Sequence, residues 1–161
     1  MPSLVVSITP IKIETLRSTL FKDSLIMTKL LLVDDDDSIL HLFCTVLEMN
    51  GYDVTTATCA SAALRKIAEQ SFDMVITDLH MESPTAGFDV VQAAQRLSPR
   101  PIIVIVTAYP VPSAEWRRSG ADALYVKGAN TMALPEQLKE LQRRKGRDTV
   151  TEYGPVRRAR S

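Results

Sequence analysis

Residues 29–40 read KLLLVDDDDSIL. Leu30 to Val33 form the unbroken apolar run of a strand buried on both faces. Four carboxylates, Asp34 to Asp37, follow without a break. Adjacent negative charges repel, so a fold that gathers them at a strand end must gain something that offsets the repulsion.

Working outward, Ile39, Leu40, Phe43, Val46 and Leu47 recur at helical spacing, and Gly51 stands where that helix would stop. YDVTTA (52–57) reads as a short strand, with Tyr52, Val54 and Thr56 on one face. SAALRKIAEQ (61–70) is a second amphipathic helix, and FDMVITD is a strand ending in Asp78. GFDVVQAAQRL is a helix closed by Ser98 and Pro99, and PIIVIVTAY is a β-branched strand. A short helix over 114–119, a fifth strand ALYVK and a last helix LPEQLKELQRR complete the pattern. Strands alternating with helices at this spacing predict βαβ units, a parallel sheet and helices on both faces.

The bulk numbers fit that reading. A chain of 161 residues, 45% hydrophobic and 24% charged, has the make-up of one globular domain with tails. Its formal net charge of +0 gives no overall attraction to nucleic acid, membranes or acidic substrates. Cys44 and Cys59 are isolated, which fits a reducing cytoplasm and predicts small buried hydrophobes. No apolar stretch approaches the roughly 18–20 residues of a membrane-spanning helix.

Residues 1–27 read as an N-terminal extension outside the domain, without the features of a signal peptide. The domain is expected over residues 28–144. From Lys145 the chain turns polar and basic, so residues 145–161 are expected to form a mobile, disordered tail and a passive solvated terminus.

In open parallel sheets, ligands bind beyond the carboxyl ends of the strands. Those ends carry Asp34 and Asp35, Asp78, Thr107 and Lys127. Each has a bland reading alone: a helix cap, a turn, a strand residue, a surface charge. A helix start has few positions to fill, so Asp36 and Asp37 satisfy it and Asp34 and Asp35 are left over. Clustered carboxylates stay ionised when a cation offsets them, and Mg²⁺ suits a site with few carboxylates, waters and a phosphoryl oxygen. No His/Cys cluster argues for zinc, and no glycine-rich phosphate loop argues for a nucleotide.

At this point LLLVDDDDSIL, GYDVTTAT, FDMVITDLHM, VIVTAY and GADALYVKG together resemble the receiver domain of bacterial two-component response regulators, over roughly residues 29–144. The resemblance implies a flavodoxin-like (βα)5 three-layer sandwich with strand order 2-1-3-4-5. It implies that Asp78 is the phosphoacceptor, with Thr107 as the switch hydroxyl and Lys127 as the neutralising cation. Mg²⁺ would be held by Asp34, Asp35, Asp78 and the backbone carbonyl of His80. The implied function is a phosphorylation-dependent signalling switch fed by a histidine kinase or a histidine phosphotransfer protein and read by a downstream protein target. It is a phosphoacceptor rather than an enzyme, beyond its own phosphotransfer and autodephosphorylation. The implied setting is cytoplasmic, without membrane or nucleic acid as partners, and it allows a homodimer formed on phosphorylation.

Three departures from the family pattern bear on that expectation. Leu124 stands where many receivers have an aromatic, with Tyr125 beside it. Gly128 follows Lys127 where proline is usual, so a trans bond is expected, because a cis bond to a non-proline residue costs ~2.5–4 kcal/mol. The loop after Asp78 reads LHMESPTAG, with Glu82 in place of the usual proline and Gly87 one residue late. No output domain is expected after the receiver, which makes it a stand-alone module. The competing readings are a non-phosphorylated interaction module that keeps the fold, and an aspartyl phosphatase, for which TDLH lacks a second acid.

Overall fold

The computed structural model describes residues 27–128 and 131–152. Five strands, β1 (Thr28–Val33), β2 (Tyr52–Ala57), β3 (Met74–Thr77), β4 (Ile102–Thr107) and β5 (Ala123–Val126), alternate with five α-helices. The helices are α1 (Asp37–Glu48), α2 (Ala60–Glu69), α3 (Ala86–Gln95), α4 (Ser113–Arg118) and α5 (Leu134–Glu152). All strand pairs are parallel, as the alternation of strands and helices predicts, and the order is β2-β1-β3-β4-β5, as the resemblance implies.

The central strands are the continuous apolar runs, and their two faces feed two separate cores. Leu31, Val33, Val75, Ile103 and Ile105 pack under α2 and α3, with Trp116 of α4 against the same cluster. Leu30, Leu32, Met74, Ile76 and Val104 pack with Phe43 and Leu47 of α1 and Leu138 of α5 on the other side. Each residue step along a strand reverses the face, so one run of branched residues fills both layers. Leu124 faces the first core and Tyr125 the second, which accounts for that pair by alternation alone.

Strand β2 lies at the sheet edge, where one side has no strand neighbour, and its alternation is loose. Tyr52 is buried and Val54 partly so, but Thr56, expected on the same face, is exposed. The two cysteines are also less enclosed than expected: both are only half-buried, with Cys59 at the exposed start of α2.

The last described helix departs further from expectation. Helix α5 does not stop near Arg144 but continues to Glu152. Ion pairs of Glu140 with Arg143 (i,i+3) and Arg144 (i,i+4) brace the helix just before that stretch, and Lys145 Nζ, at its start, lies 2.6 Å from Asp122 Oδ1. Basic residues that read as a solvated tail therefore begin as a tethered helix. The expected extension before Met27 and the tail beyond Glu152 lie outside the described residues.

Candidate functional site

The sheet register brings the chemistry together. Val33 pairs with Thr77, so the residues that follow them, Asp34 and Asp78, leave adjacent strands side by side. Thr107 pairs with Val126, which places Lys127 one step beyond the end of that pairing. Backbone bonds hold that alignment: Asp78 N–H donates to Val33 O at 2.9 Å and Lys127 N–H to Thr107 O at 2.8 Å.

The four consecutive aspartates divide as expected. Asp36 is the N-cap of α1, its Oδ1 accepting from Ser38 N at 2.8 Å and Ile39 N at 3.2 Å. Asp37 sits in the first turn, where negative charge favours the helix dipole. Asp34 and Asp35 are thereby left to the cleft. Asp34 is 3% exposed, Asp78 7% and Thr107 0%, whereas Asp35 is open to solvent.

These residues line one cleft of about 430 Å³, with His80, Ala108, Tyr109 and Gly128 around its mouth. Asp34, Asp35 and Asp78 each offer an oxygen, all within 4.8 Å of one another. Lys127 Nζ donates to Asp34 Oδ2 at 2.5 Å and to Asp78 Oδ2 at 2.7 Å. Asp78 Oδ1 accepts from Leu79 N at 2.6 Å, which leaves Oδ2 on the cleft side with the ammonium. Asp34 Oδ1 accepts from Asp36 N at 3.0 Å.

Burial pushes the Asp34 carboxyl above its ordinary range, against the opposing pull of Lys127. For Lys127, burial works against the charged form, but the hydrogen bonds to Asp34 and Asp78 outweigh it and hold the ammonium above its usual value. The site thus stores strong positive and negative charge at close range in a partly dehydrated pocket, where Coulomb interactions are larger than in water. A hard divalent cation with oxygen ligands fits the three carboxylates; there is no soft ligand among them.

All the residues singled out from sequence meet here. The imidazole of His80 does not join the acidic cluster. It stands at the rim, edge-on to Tyr109 with ring centroids 6.0 Å apart. The Lys127–Gly128 bond is trans, and Gly128 adopts φ 150°, a backbone geometry that L side chains rarely enter.

Two contributors were noted in the sequence only as departures from the family pattern, without the contacts they make. Gly87 packs so closely on the site loop that a Cβ there would lie 2.1 Å from Asp78 O and 2.5 Å from Leu79 Cα. Its N–H donates to Leu79 O at 3.2 Å. Glu82, noted only as a departure, reaches across to α2, where its Oε1 accepts from Ala60 N at 2.7 Å. The signal for that contact was the start of α2, where Cys59 supplies no capping oxygen.

Comparison with known proteins agrees with this geometry. Residues 30–139 match the response regulator receiver domain family. The chain is 32% identical over 119 residues to a CpxR homologue, a transcriptional regulatory protein of Haemophilus influenzae, covering 73% of this chain and 52% of that one. It is 41% identical over 66 residues to the response regulator SaeR of Staphylococcus epidermidis, covering 41% of this chain and 28% of that protein. The chain thus spans about half, or less, of the length of these relatives.

Among solved structures, a CheY-like receiver domain from Methanospirillum hungatei is 31% identical with TM-score 0.67, covering 75% of this chain and 98% of that one. TrrA of Thermotoga maritima, solved in complex with Mg²⁺ and BeF, is 30% identical with TM-score 0.64, covering 71% and 99%. Among the described residues, no helix is long and apolar enough to cross a membrane. With its five-stranded topology and its acidic strand ends, the chain belongs to the response regulator receiver domain family, whose members are phosphorylation-dependent switches of two-component signalling.

Proposed function

We propose that Asp78 accepts a phosphoryl group from a phosphohistidine on a histidine kinase or histidine phosphotransfer protein. The observation that carries the reading is the meeting of Asp78 Oδ2 with Lys127 Nζ at 2.7 Å inside a cluster of three carboxylates. The carboxylate attacks phosphorus, a P–O bond forms, the P–N bond breaks, and the imidazole leaves with the electron pair. Asp34, Asp35, Asp78 and the carbonyl of His80 would hold Mg²⁺, as the Mg²⁺–BeF complex of TrrA suggests for a relative. Held there, it would supply positive charge to offset the negative charge of the transferred group.

The chain's own residues do the rest. Backbone hydrogen bonds fix Asp78, and Lys127 places a half-buried ammonium where negative charge develops, without reorganisation. Thr107, fully buried at the end of β4, then donates its hydroxyl to a phosphoryl oxygen and draws in the loop over 108–112. That movement alters the face made by β4, α4 and β5, where Trp116, Leu124 and Tyr125 line a groove of about 500 Å³. A downstream protein reads that face, and a homodimer formed on phosphorylation would use the same surface. His80 and Tyr109 control water attack on the acyl phosphate, and hence autodephosphorylation. The setting we propose is the cytoplasm, where free cysteines persist.

The test is incubation with acetyl phosphate and Mg²⁺, read by intact-protein mass. A gain of one phosphoryl group that Asp78→Asn abolishes is the expected result. An unchanged mass for the wild-type chain overturns the reading and leaves an interaction module with the receiver fold.

A further inference from the structure

Helix α2 begins with a thiol, and no oxygen, at its N-cap. Cys59, at the N-cap, offers only a sulfur, a weak acceptor, which is engaged with Ser61 Oγ at 3.2 Å and faces the N–H of Ala62. The N–H of Ala60, the first residue of the helix, is satisfied from a distant point in the sequence: Glu82 Oε1 accepts from it at 2.7 Å. A carboxylate there also meets the positive end of the helix dipole.

The position of this contact gives it a second consequence. Ala57, just before the start of α2, accepts from Asp34 N at 3.1 Å. Ala60 is held by Glu82, on the loop that also carries Asp78 and His80. The short junction from Ala57 to Ala60 therefore ties together both chain segments that supply carboxylates to the cleft. The loop is fixed at its start by Leu79 N–H and His80 N–H on Asp78 Oδ1, and at its end by Gly87 N–H on Leu79 O. Between these, Leu79 is buried and Met81 packs on the core. Glu82 adds a bond from the loop to a different helix, two residues from the His80 carbonyl.

We infer that Glu82 is a positioning residue for the metal and phosphoryl site: by capping α2 it sets the spacing between the Asp34–Asp35 pair and the Asp78–His80 loop. This rests on the reading of the cleft as an Mg²⁺ and phosphoryl site, and it assigns a role to a side chain that touches neither. Groups that orient metal ligands without binding the metal commonly change affinity when lost.

The experiment compares full-length wild type, Glu82→Ala and Glu82→Gln. It combines Mg²⁺ titration calorimetry, the lifetime of the phosphorylated form and amide exchange at Ala60, measured without metal. Glu82→Ala is expected to expose the Ala60 amide, weaken Mg²⁺ binding by about tenfold and change the phosphoryl lifetime. Glu82→Gln keeps an acceptor oxygen, and is expected to restore Ala60 protection and wild-type Mg²⁺ affinity. Loss of Ala60 protection in Glu82→Ala with unchanged Mg²⁺ affinity overturns the inference, as does an Ala60 amide that stays protected. Weak Mg²⁺ binding by Glu82→Gln with Ala60 still protected also overturns it, because charge rather than position would then be responsible. If wild type itself binds no Mg²⁺, the reading of the cleft falls and this inference falls with it.

Discussion

Lys127 Nζ lies 2.7 Å from Asp78 Oδ2, although the two residues are 49 positions apart. The same ammonium bonds Asp34, so one cation offsets two buried carboxylates drawn from different strands. Lys127→Met removes the charge and leaves both acids facing each other in a partly dehydrated cleft. A loss of about 3 kcal/mol of stability is expected, the low end for breaking a buried ion pair, since one acid is free to protonate. Labelling by acetyl phosphate should slow by about 100-fold, the usual effect of deleting a preorganised electrostatic contact. Urea unfolding measures the first effect, and added Mg²⁺ should recover part of that stability by supplying the missing positive charge. A variant as stable and as readily labelled as wild type would remove Lys127 from the site.

Gly128 sits directly after that lysine at φ 150° with nothing within 4 Å of a would-be Cβ. Space is therefore no obstacle to a side chain; the backbone conformation is. Gly128→Ala should cost about 1–2 kcal/mol for holding an L residue in that region. Gly128→Pro should cost more, because the ring fixes φ near −65° and the loop must take another path. Restoring the family's usual proline is thus expected to lower the labelling rate rather than raise it. Equal urea midpoints for wild type and both variants would contradict this account.

At Gly87 the opposite holds, because the conflict is with neighbouring atoms. A Cβ would sit 2.1 Å from the carbonyl oxygen of Asp78, so either α3 or the site loop has to move. Gly87→Ala is expected to destabilise by about 1–3 kcal/mol through overpacking and to cut Mg²⁺ affinity as Asp78 shifts. Retained Mg²⁺ affinity would show that the loop yields away from the ligands.

These two glycines mark the boundary of what the sequence reveals. Strand order, the two core layers and the meeting of Asp34, Asp35, Asp78, Thr107 and Lys127 follow from apolar runs, strand-end residues and family motifs. All of these are local patterns in register. The contact of Gly87 with Asp78 and the reach of Glu82 to Ala60 are relations between distant segments. A glycine needed for close approach reads the same as one needed for a turn. Helix α5 shows a related difficulty: its continuation past Arg144 draws on Asp122, a partner in the loop before β5, which helical periodicity does not reveal. Thr56 escaped for a different reason, since an edge strand lacks the second neighbour that enforces alternation.

Tyr52 gives the fold a pH dependence unconnected with the cleft. It is 3% exposed and donates its hydroxyl to Gln142 Oε1 at 3.2 Å, joining β2 to α5. Burial, helped by the nearby charge of Glu136, pushes the phenol up to about 12 from 10.0. Between those values the unfolded chain has released this proton and the folded chain still holds it. Stability is therefore fully present below pH 10.0 and falls as pH rises toward about 12. Urea unfolding across that interval should show a steeper decline for wild type than for Tyr52→Phe. Parallel declines would place Tyr52 in an ordinary, solvated environment.

If Asp78 is phosphorylated as proposed, the rim of the cleft is expected to set how long the phosphoryl group lasts. His80 and Tyr109 stand edge-on, with ring planes at 89°, over the opening beside Asp78. Tyr109 is 67% exposed, so its ring screens the entrance without belonging to the core. Its N–H donates to Thr107 Oγ1 at 3.4 Å, which links the screen to the hydroxyl proposed to move on phosphorylation. Replacing both rings by alanine removes apolar bulk that excludes water and leaves the carboxylates, Thr107 and Lys127 in place. The double variant should still accept phosphate from acetyl phosphate and should lose it several-fold faster than wild type. The decay of the phosphorylated mass after removing the donor measures that rate. An unchanged half-life would mean that water reaches the acyl phosphate by a route these rings do not guard.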